Sequence, residues 1–208
     1  MSTPTAEAHW EQVYRTKAHD AVSWYRPHLE TSLRLISQVA PAESASVIDI
    51  GGGESTLPDD LIARGYRSLT VLDLSQAALE ASRLRIGDKA SALTWITGDI
   101  TSVVLPEHAY DVWHDRAVFH FMATAAEREA YLAQLHRALR PGGYLVLATF
   151  GLQGPEKCSG LAVSRYDAAA IQTVLGPRFT LMESLIETHL TPAGASQQFQ
   201  YGLFRQSA

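Results

Sequence analysis

The chain has 208 residues, of which 46% are hydrophobic and 19% charged, proportions that suit a soluble globular protein long enough to bury a continuous core. Its net charge of -5 excludes a general attraction to nucleic acid or anionic membrane, and no apolar run approaches the roughly 20 residues that span a bilayer. The lone cysteine, Cys158, excludes an internal disulfide framework and a multi-cysteine metal centre, so no metal site is expected.

In chain order, MSTPTAEAHWEQ lacks a basic stretch followed by an apolar one, so no export signal is expected and the cytoplasm is the expected compartment. Residues 28–40, HLETSLRLISQVA, place Leu29, Leu33, Ile36 and Ala40 at helical spacing before Pro41. SVIDI reads as a buried strand running into Gly51, Gly52 and Gly53. Ser55 or Thr56 can cap a helix that holds Pro58 in its first turn and ends at Gly65. SLTVLDLS reads as a second strand, and Ser75 caps a helix through about Ile86. ALTWITGDI and YDVWHD read as the third and fourth strands. The next helix opens with a Thr124/Glu127 capping box and carries Tyr131, Leu132, Leu135 and Leu139 on one side. PGG ends it, and YLVLATF is the fifth strand. FTLMESLIETHL and QQFQYGLFRQ, joined across TPAG, read as a hairpin in which Phe199, Tyr201 and Leu203 alternate with polar or small residues.

Strands that alternate with helices predict an α/β fold with a doubly wound sheet, mostly parallel, here finished by an antiparallel C-terminal hairpin to make seven strands. No repeat or linker divides the chain, so 1–208 is read as one domain.

Ligands of such sheets sit beyond the carboxyl ends of the strands, where strand order reverses. Gly51 and Gly53 stand at the end of the first strand, where a Cβ would block a ligand's approach; the alternative is a tight turn with no ligand. The dinucleotide fingerprint G-x-G-x-x-G needs a glycine at position 56, where Thr56 stands. Asp49, close to the start of the following helix, repels phosphate and suits a cation. Asp73 ends the second strand and can accept hydrogen bonds from both hydroxyls of an unphosphorylated ribose. Asp99 ends the third, where its side chain and the backbone N–H of Ile100 can read an adenine edge. Each acid singly is explained by a turn or cap. Three at successive strand tips point to a nucleoside that bears positive charge.

These residues resemble the class I S-adenosylmethionine-dependent methyltransferases, and the resemblance covers nearly the whole chain. VIDIGGGES is similar to the family's first motif, D/E-x-G-x-G-x-G, with Ser55 in place of the third glycine. Asp73, with Leu74 beside it, matches the acid after the second strand, and Asp99 the acid after the third. LRPGGYLVL is similar to the segment that precedes the fifth strand. The resemblance implies a Rossmann-like fold, S-adenosyl-L-methionine as cofactor and S-adenosyl-L-homocysteine as product. HWEQVYRTKAHDAVSWYRPH resembles the opening segment of small methyltransferases that include the elongation-factor lysine methyltransferases. In that group the residues matching Trp10 and Tyr14 lie over the cofactor, and a cation matching Arg116 contacts it. Trp24 is counted with them. Residues 1–40 are then a cap over the cofactor and 41–208 the core. Aromatic faces stabilise a sulfonium and exclude water. The other reading of Trp10, Tyr14, Trp24 and Tyr25 is that they pin an N-terminal helix to the core, which is compatible with the first.

The implied reaction moves a methyl group to an N, O or S atom of a small molecule or a protein side chain, a lysine in the protein-directed version. A base is needed only if the nucleophile arrives protonated. WHDRAVFHFM, after the fourth strand, offers His114, Asp115, Arg116 and His120, and Asp115 or His120 is the candidate to deprotonate or orient the acceptor. Packing of His120 and pairing of Asp115 with Arg116 are the structural alternatives. Cys158 is expected in a long loop bordering the acceptor pocket, and His189 in the closing hairpin. No nucleic acid or membrane partner is expected. A sensor that binds the cofactor without turnover is the competing class, and Thr56 with the Asp49/Asp73 pair argues against a nicotinamide oxidoreductase.

Overall fold

Five consecutive buried residues, Ser46–Ile50, form β1, and the sheet is laid out around that strand. The structure, a computed structural model, describes residues 5–207. Positions 1–4 and 208, which belong to the expected cap and core, lie outside the described residues.

Two helices precede β1. Thr5 caps α1 (Ala6–Thr16) by accepting from the Ala8 N–H, and α2 (Glu30–Val39) buries Ser32, Leu33, Leu35 and Ile36 along one side. After β1 come α3 (Leu57–Ala63), β2 (Ser68–Asp73), α4 (Gln76–Ile86), β3 (Thr94–Thr97), β4 (Tyr110–Arg116) and α5 (Ala125–Ala138). Then follow β5 (Leu139–Phe150), a small antiparallel pair β6 (Lys157–Cys158) and β7 (Leu161–Ala162), α6 (Ala168–Leu175), β8 (Phe179–Leu190) and β9 (Ser196–Gln206). The main sheet has seven strands in the order β3-β2-β1-β4-β5-β9-β8. β1 to β5 are mutually parallel, β9 runs antiparallel to β5, and β8 runs antiparallel to β9. The expected α/β architecture with its antiparallel finish is therefore present. Strand order reverses between β1 and β4, which puts a crevice over their carboxyl ends.

The period of two along each strand sorts side chains onto the two faces of the sheet. Val47, Val112, Val146 and Ala148 pack with α2 and α3, whereas Ile48, Ile50, Trp113, Leu145 and Leu147 pack with α5 and α6. Trp113, Tyr131 and Phe119 are fully buried on the second face, where each large apolar side chain contributes about 1.5–3 kcal/mol.

The caps follow the sequence. Ser75 accepts from Ala78 N at the start of α4, and Thr124 and Glu127 close both bonds of the capping box on α5. Three elements differ from expectation. Leu139 is not the last helical contact of α5 but the first residue of β5, and the pairing with β4 shifts register around residues 141–143. The segment 151–165, expected as a long loop after β5, contains the β6–β7 hairpin, and α6, for which no element was expected, follows it, capped by the Asp167 carboxylate on Ala170 N. Among the described residues no helix is long and apolar enough to cross a membrane.

The tip of β4 is fixed from below. The Tyr131 hydroxyl donates to Asp115 Oδ2 at 2.6 Å and accepts from Trp113 Nε1 at 2.9 Å. Tyr131→Phe removes the donor from a fully buried carboxylate and is expected to cost about 1–3 kcal/mol. Urea unfolding measures it as a lower midpoint at unchanged slope; an unaltered midpoint contradicts this account of the β4 tip.

Candidate functional site

β1 ends at Ile50 and the chain turns through Gly51 at φ +66° and Gly53 at φ +43°. Gly51 N donates to Leu72 O at 2.7 Å, which ties the turn to β2. A Cβ on Gly51 would run into Val118 Cγ2, and one on Gly53 would sit 2.6 Å from the Tyr14 hydroxyl and 3.0 Å from Asp73 Oδ2. The glycines are required because side chains from three other segments close on the bare backbone. Thr56 holds the N-cap position of α3 but makes no side-chain cap bond, while the Ser55 Oγ beside it accepts from Leu57 N at 3.1 Å. The Thr56 hydroxyl turns away and donates to Pro27 O at 2.9 Å.

A cavity of about 340 Å³ lies over the tips of β1, β2, β3 and β4. Trp10, Tyr14 and Trp24 wall it on the N-terminal side; Gly51, Asp73 and Leu74, then Asp99 and Ile100, line it along the strand tips, and Arg116 closes it beyond β4. A smaller cavity of about 50 Å³ adjoins it and shares Tyr14, Trp24, Gly51 and Arg116; Asp49, Glu54 and His114 belong to this one. Gly53 lines neither, yet its backbone stands beside Asp73.

Asp73 is 5% exposed, and its Oδ1 accepts from Ser75 N at 2.8 Å. Burial, reinforced by the neighbouring Asp49 charge, raises its pKa from 3.8 to about 7. Asp99 Oδ1 accepts from Thr101 N and from the Thr101 hydroxyl. Asp49 Oδ1 pairs with His114 Nδ1 at 2.6 Å, while Asp49 Oδ2 is buried with no partner among the described residues. Glu54 Oε2 is in the same position, and desolvation raises the Glu54 pKa. The Arg116 guanidinium lies 4.2 Å over the Phe199 ring, donates from Nε to the Tyr201 hydroxyl and from Nη1 to Trp24 O, and keeps Nη2 buried without a partner among the described residues. Two acids and one cation around the same glycine turn thus hold unused hydrogen-bonding capacity.

α1 is clasped to the start of α4. Glu11 on α1 accepts from the Ser75 hydroxyl at 2.6 Å and from Ala77 N at 3.2 Å, an acid at the amino end of α4. The Ser75 hydroxyl chiefly holds the Glu11 pKa below its usual value. Trp10 meets Trp24 edge-on at 5.7 Å and Phe121 at 5.2 Å, so the N-terminal aromatics pack on one another and on the core, and Trp10, Tyr14 and Trp24 also line the cavity.

The two expected acceptor-side residues are not brought to either cavity. Asp115 points to the α5 face, where its carboxylate accepts from Val118 N, Phe119 N and Tyr131 Oη; it does not pair with Arg116. Burial raises its pKa to about 6. His120 is fully buried against Phe121 and Phe150, and burial, with Arg116 nearby, lowers its pKa to about 3. The packing alternative describes His120, and Asp115 is a backbone anchor. Cys158 does border the larger cavity, from β6, with its thiol pushed up to about 12 by burial. His189 donates to Ser23 O and lines neither cavity. The sequence reading missed Val118, Phe121 and Met122 beyond β4, and Leu161 and Ala162 of β7, as wall residues. WHDRAVFHFM did mark the segment: of the four side chains taken from it, Arg116 and His114 reach a cavity and Asp115 and His120 do not.

Residues 48–147 match a family model described as a methyltransferase domain. Among curated proteins, the chain is 26% identical over 147 residues to the eEF1A lysine and N-terminal methyltransferase of Mus musculus, a match that covers 67% of this chain and 21% of that protein. It is 31% identical over 119 residues to a ubiquinone/menaquinone biosynthesis C-methyltransferase of Roseobacter denitrificans, covering 56% of this chain and 46% of the relative. The chain thus spans less than half the length of either relative. Among solved structures, the Burkholderia thailandensis 1,6-didemethyltoxoflavin-N1-methyltransferase, crystallised with its substrate and S-adenosylhomocysteine, superposes with a TM-score of 0.73 at 18% identity, covering 100% of this chain and 94% of that one. A methyltransferase from Anabaena variabilis gives 0.72 at 15% identity, covering 98% and 96% of the two chains. The glycine turn, the acids at the strand tips, the seven-stranded order and these matches support a class I S-adenosylmethionine-dependent methyltransferase, with residues 48–147 matching the methyltransferase domain.

Proposed function

We propose that the protein transfers a methyl group from S-adenosylmethionine to an N, O or S atom of a small molecule or of one protein side chain, and that residues 1–40 act as the cap of a single catalytic domain. The observation that carries this reading is the set of unused buried groups at the glycine turn, Asp49 Oδ2, Glu54 Oε2 and Arg116 Nη2. The two acids suit the ammonium, and the guanidinium suits the carboxylate, of an α-amino acid.

The rest of the cavity suits the remainder of the cofactor. Asp73 stands where a ribose diol would be bound, and Asp99 with the Ile100 N–H where an adenine edge would be read. Trp10, Tyr14 and Trp24 offer aromatic faces to a cationic sulfur, with about 0.5–2 kcal/mol available from such a contact. When bound, the cofactor supplies a methyl group on a sulfonium that departs as a neutral thioether. The chain's own contribution is alignment and dryness, worth roughly 7–11 kcal/mol of a barrier in favourable cases. Phe121, Met122, Cys158 and Leu161 wall the part of the cavity left for the acceptor. The murine relative, a lysine and N-terminal methyltransferase, supports a protein amine such as lysine as acceptor, and the Burkholderia fold neighbour supports a nitrogen of a small molecule.

Calorimetric titration with S-adenosylhomocysteine tests the site. Asp73→Ala is expected to weaken binding at least tenfold, and unchanged affinity removes Asp73 from the site. Incubation with radiolabelled S-adenosylmethionine and cell lysate then tests turnover. Label in the protein fraction selects a side-chain acceptor, label in the small-molecule fraction selects a metabolite, and no transfer at all leaves a sensor and contradicts the proposal.

Asp73 carries a second expectation. Its folded-state pKa is raised, so its contribution to stability is fully present below the unfolded value of 3.8 and is lost as pH rises through about 7. The ligand-free Asp73→Asn protein is therefore expected to be more stable than the parent at pH 8, by on the order of 2 kcal/mol, with the gain vanishing towards pH 4. Thermal unfolding across that range measures it, and a gain that does not change with pH contradicts it.

A further inference from the structure

The parallel register of β1 and β4 sets Asp49 directly beside His114, both on the face covered by α2. His114 Nδ1 lies 2.6 Å from Asp49 Oδ1, and His114 Nε2 lies 2.8 Å from the Ser32 hydroxyl of α2. The three residues are 0%, 1% and 5% exposed in the order Ser32, His114, Asp49, so the chain they form is almost wholly shielded from bulk solvent. One tautomer satisfies both contacts: Nδ1 carries the proton and donates to the carboxylate, and Nε2 accepts from the Ser32 O–H.

A carboxylate held at one oxygen has a defined direction for the other. Asp49 Oδ2 has no partner among the described residues and stands 2.7 Å from where a Cβ of Gly52 would be, against the backbone of the glycine turn. We propose that His114 is a positioning residue for the amino-acid end of the cofactor: it fixes Asp49 through Oδ1 so that Oδ2 faces the ammonium, and Ser32 holds the imidazole in the tautomer that does this. The proposal rests on the S-adenosylmethionine reading of the site. It explains why a histidine and a serine with no solvent contact stand in line behind an acid of the glycine motif. A packing role alone would be met by apolar side chains, which bring no desolvation cost. With an apolar residue at position 114, Asp49 would have a buried carboxylate with no donor on Oδ1 and no fixed direction for Oδ2.

The experiment compares two ligands on the full chain. S-adenosylhomocysteine has the amino-acid end; 5′-methylthioadenosine has the same adenosine and thioether without it. His114→Leu is expected to lose at least tenfold in affinity for S-adenosylhomocysteine while its affinity for methylthioadenosine stays within twofold of the parent. His114→Asn, which returns an N–H near the position of Nδ1, is expected to recover S-adenosylhomocysteine binding to within about threefold. Equal losses for both ligands, or no loss for either, overturn the positioning role. If His114→Leu does not fold, Ser32→Ala decides by the same comparison: a several-fold loss confined to S-adenosylhomocysteine supports the proposal, and identical affinities for the two ligands relative to the parent contradict it. A parent protein that binds methylthioadenosine but shows no preference for S-adenosylhomocysteine overturns this inference alone, whereas a parent that binds neither overturns the reading of the whole site.

Discussion

Negative charge buried at the tips of adjacent strands is the constraint on which the site depends. Asp49 and Asp73 are each 5% exposed and lie close enough for the charge of one to raise the pKa of the other. Among the described residues neither has a lysine or arginine partner. Such an arrangement costs stability in the empty protein and is offset when a cation and hydroxyl donors arrive. The bare glycine turn belongs to the same constraint, because a side chain at Gly53 would displace Tyr14 and Asp73 from the place where they meet.

The scaffold keeps these groups rigid from several directions. Asp115, at the tip of β4, spends its carboxylate on Val118 N, Phe119 N and the Tyr131 hydroxyl, and so shapes the loop that carries the cavity wall. Arg116, one residue later, points to the opposite face and links Trp24 to Tyr201 of β9. Glu11 joins α1 to the amino end of α4. α1 is thus held beside the strand tips by the Glu11 bonds to α4 and by the packing of Trp10 on Trp24 and Phe121.

The sequence disclosed most of the fold because its signals are local. SVIDI, VLDLS and the Thr124/Glu127 box each contain the pattern that makes the element. Acids at strand ends were legible for the same reason. What sequence spacing left hidden is the direction of side chains beyond the end of β4. Strand alternation puts Trp113 and Asp115 on the α5 face and His114 and Arg116 on the α2 face, so Asp115 was never free to face the cavity. His120 lies past the strand, where no period applies, and the packing of Phe121 and Phe150, with the Phe150 N–H donating to its Nδ1, decides its place. The clasp between Glu11 and Ser75 joins residues 64 apart and leaves no mark in either segment. α6 did leave one, Asp167 followed by an alanine-rich run and Gly176, which was passed over between the expected 151–165 loop and the closing hairpin.

A crystal structure with S-adenosylhomocysteine tests the central claim most directly. The result expected is a ribose on the Asp73 carboxylate and an amino group on Asp49 Oδ2, with His114 still bonded to Oδ1. A ligand bound elsewhere, or a bound ligand that leaves Asp49 and Asp73 without contacts, would contradict the account.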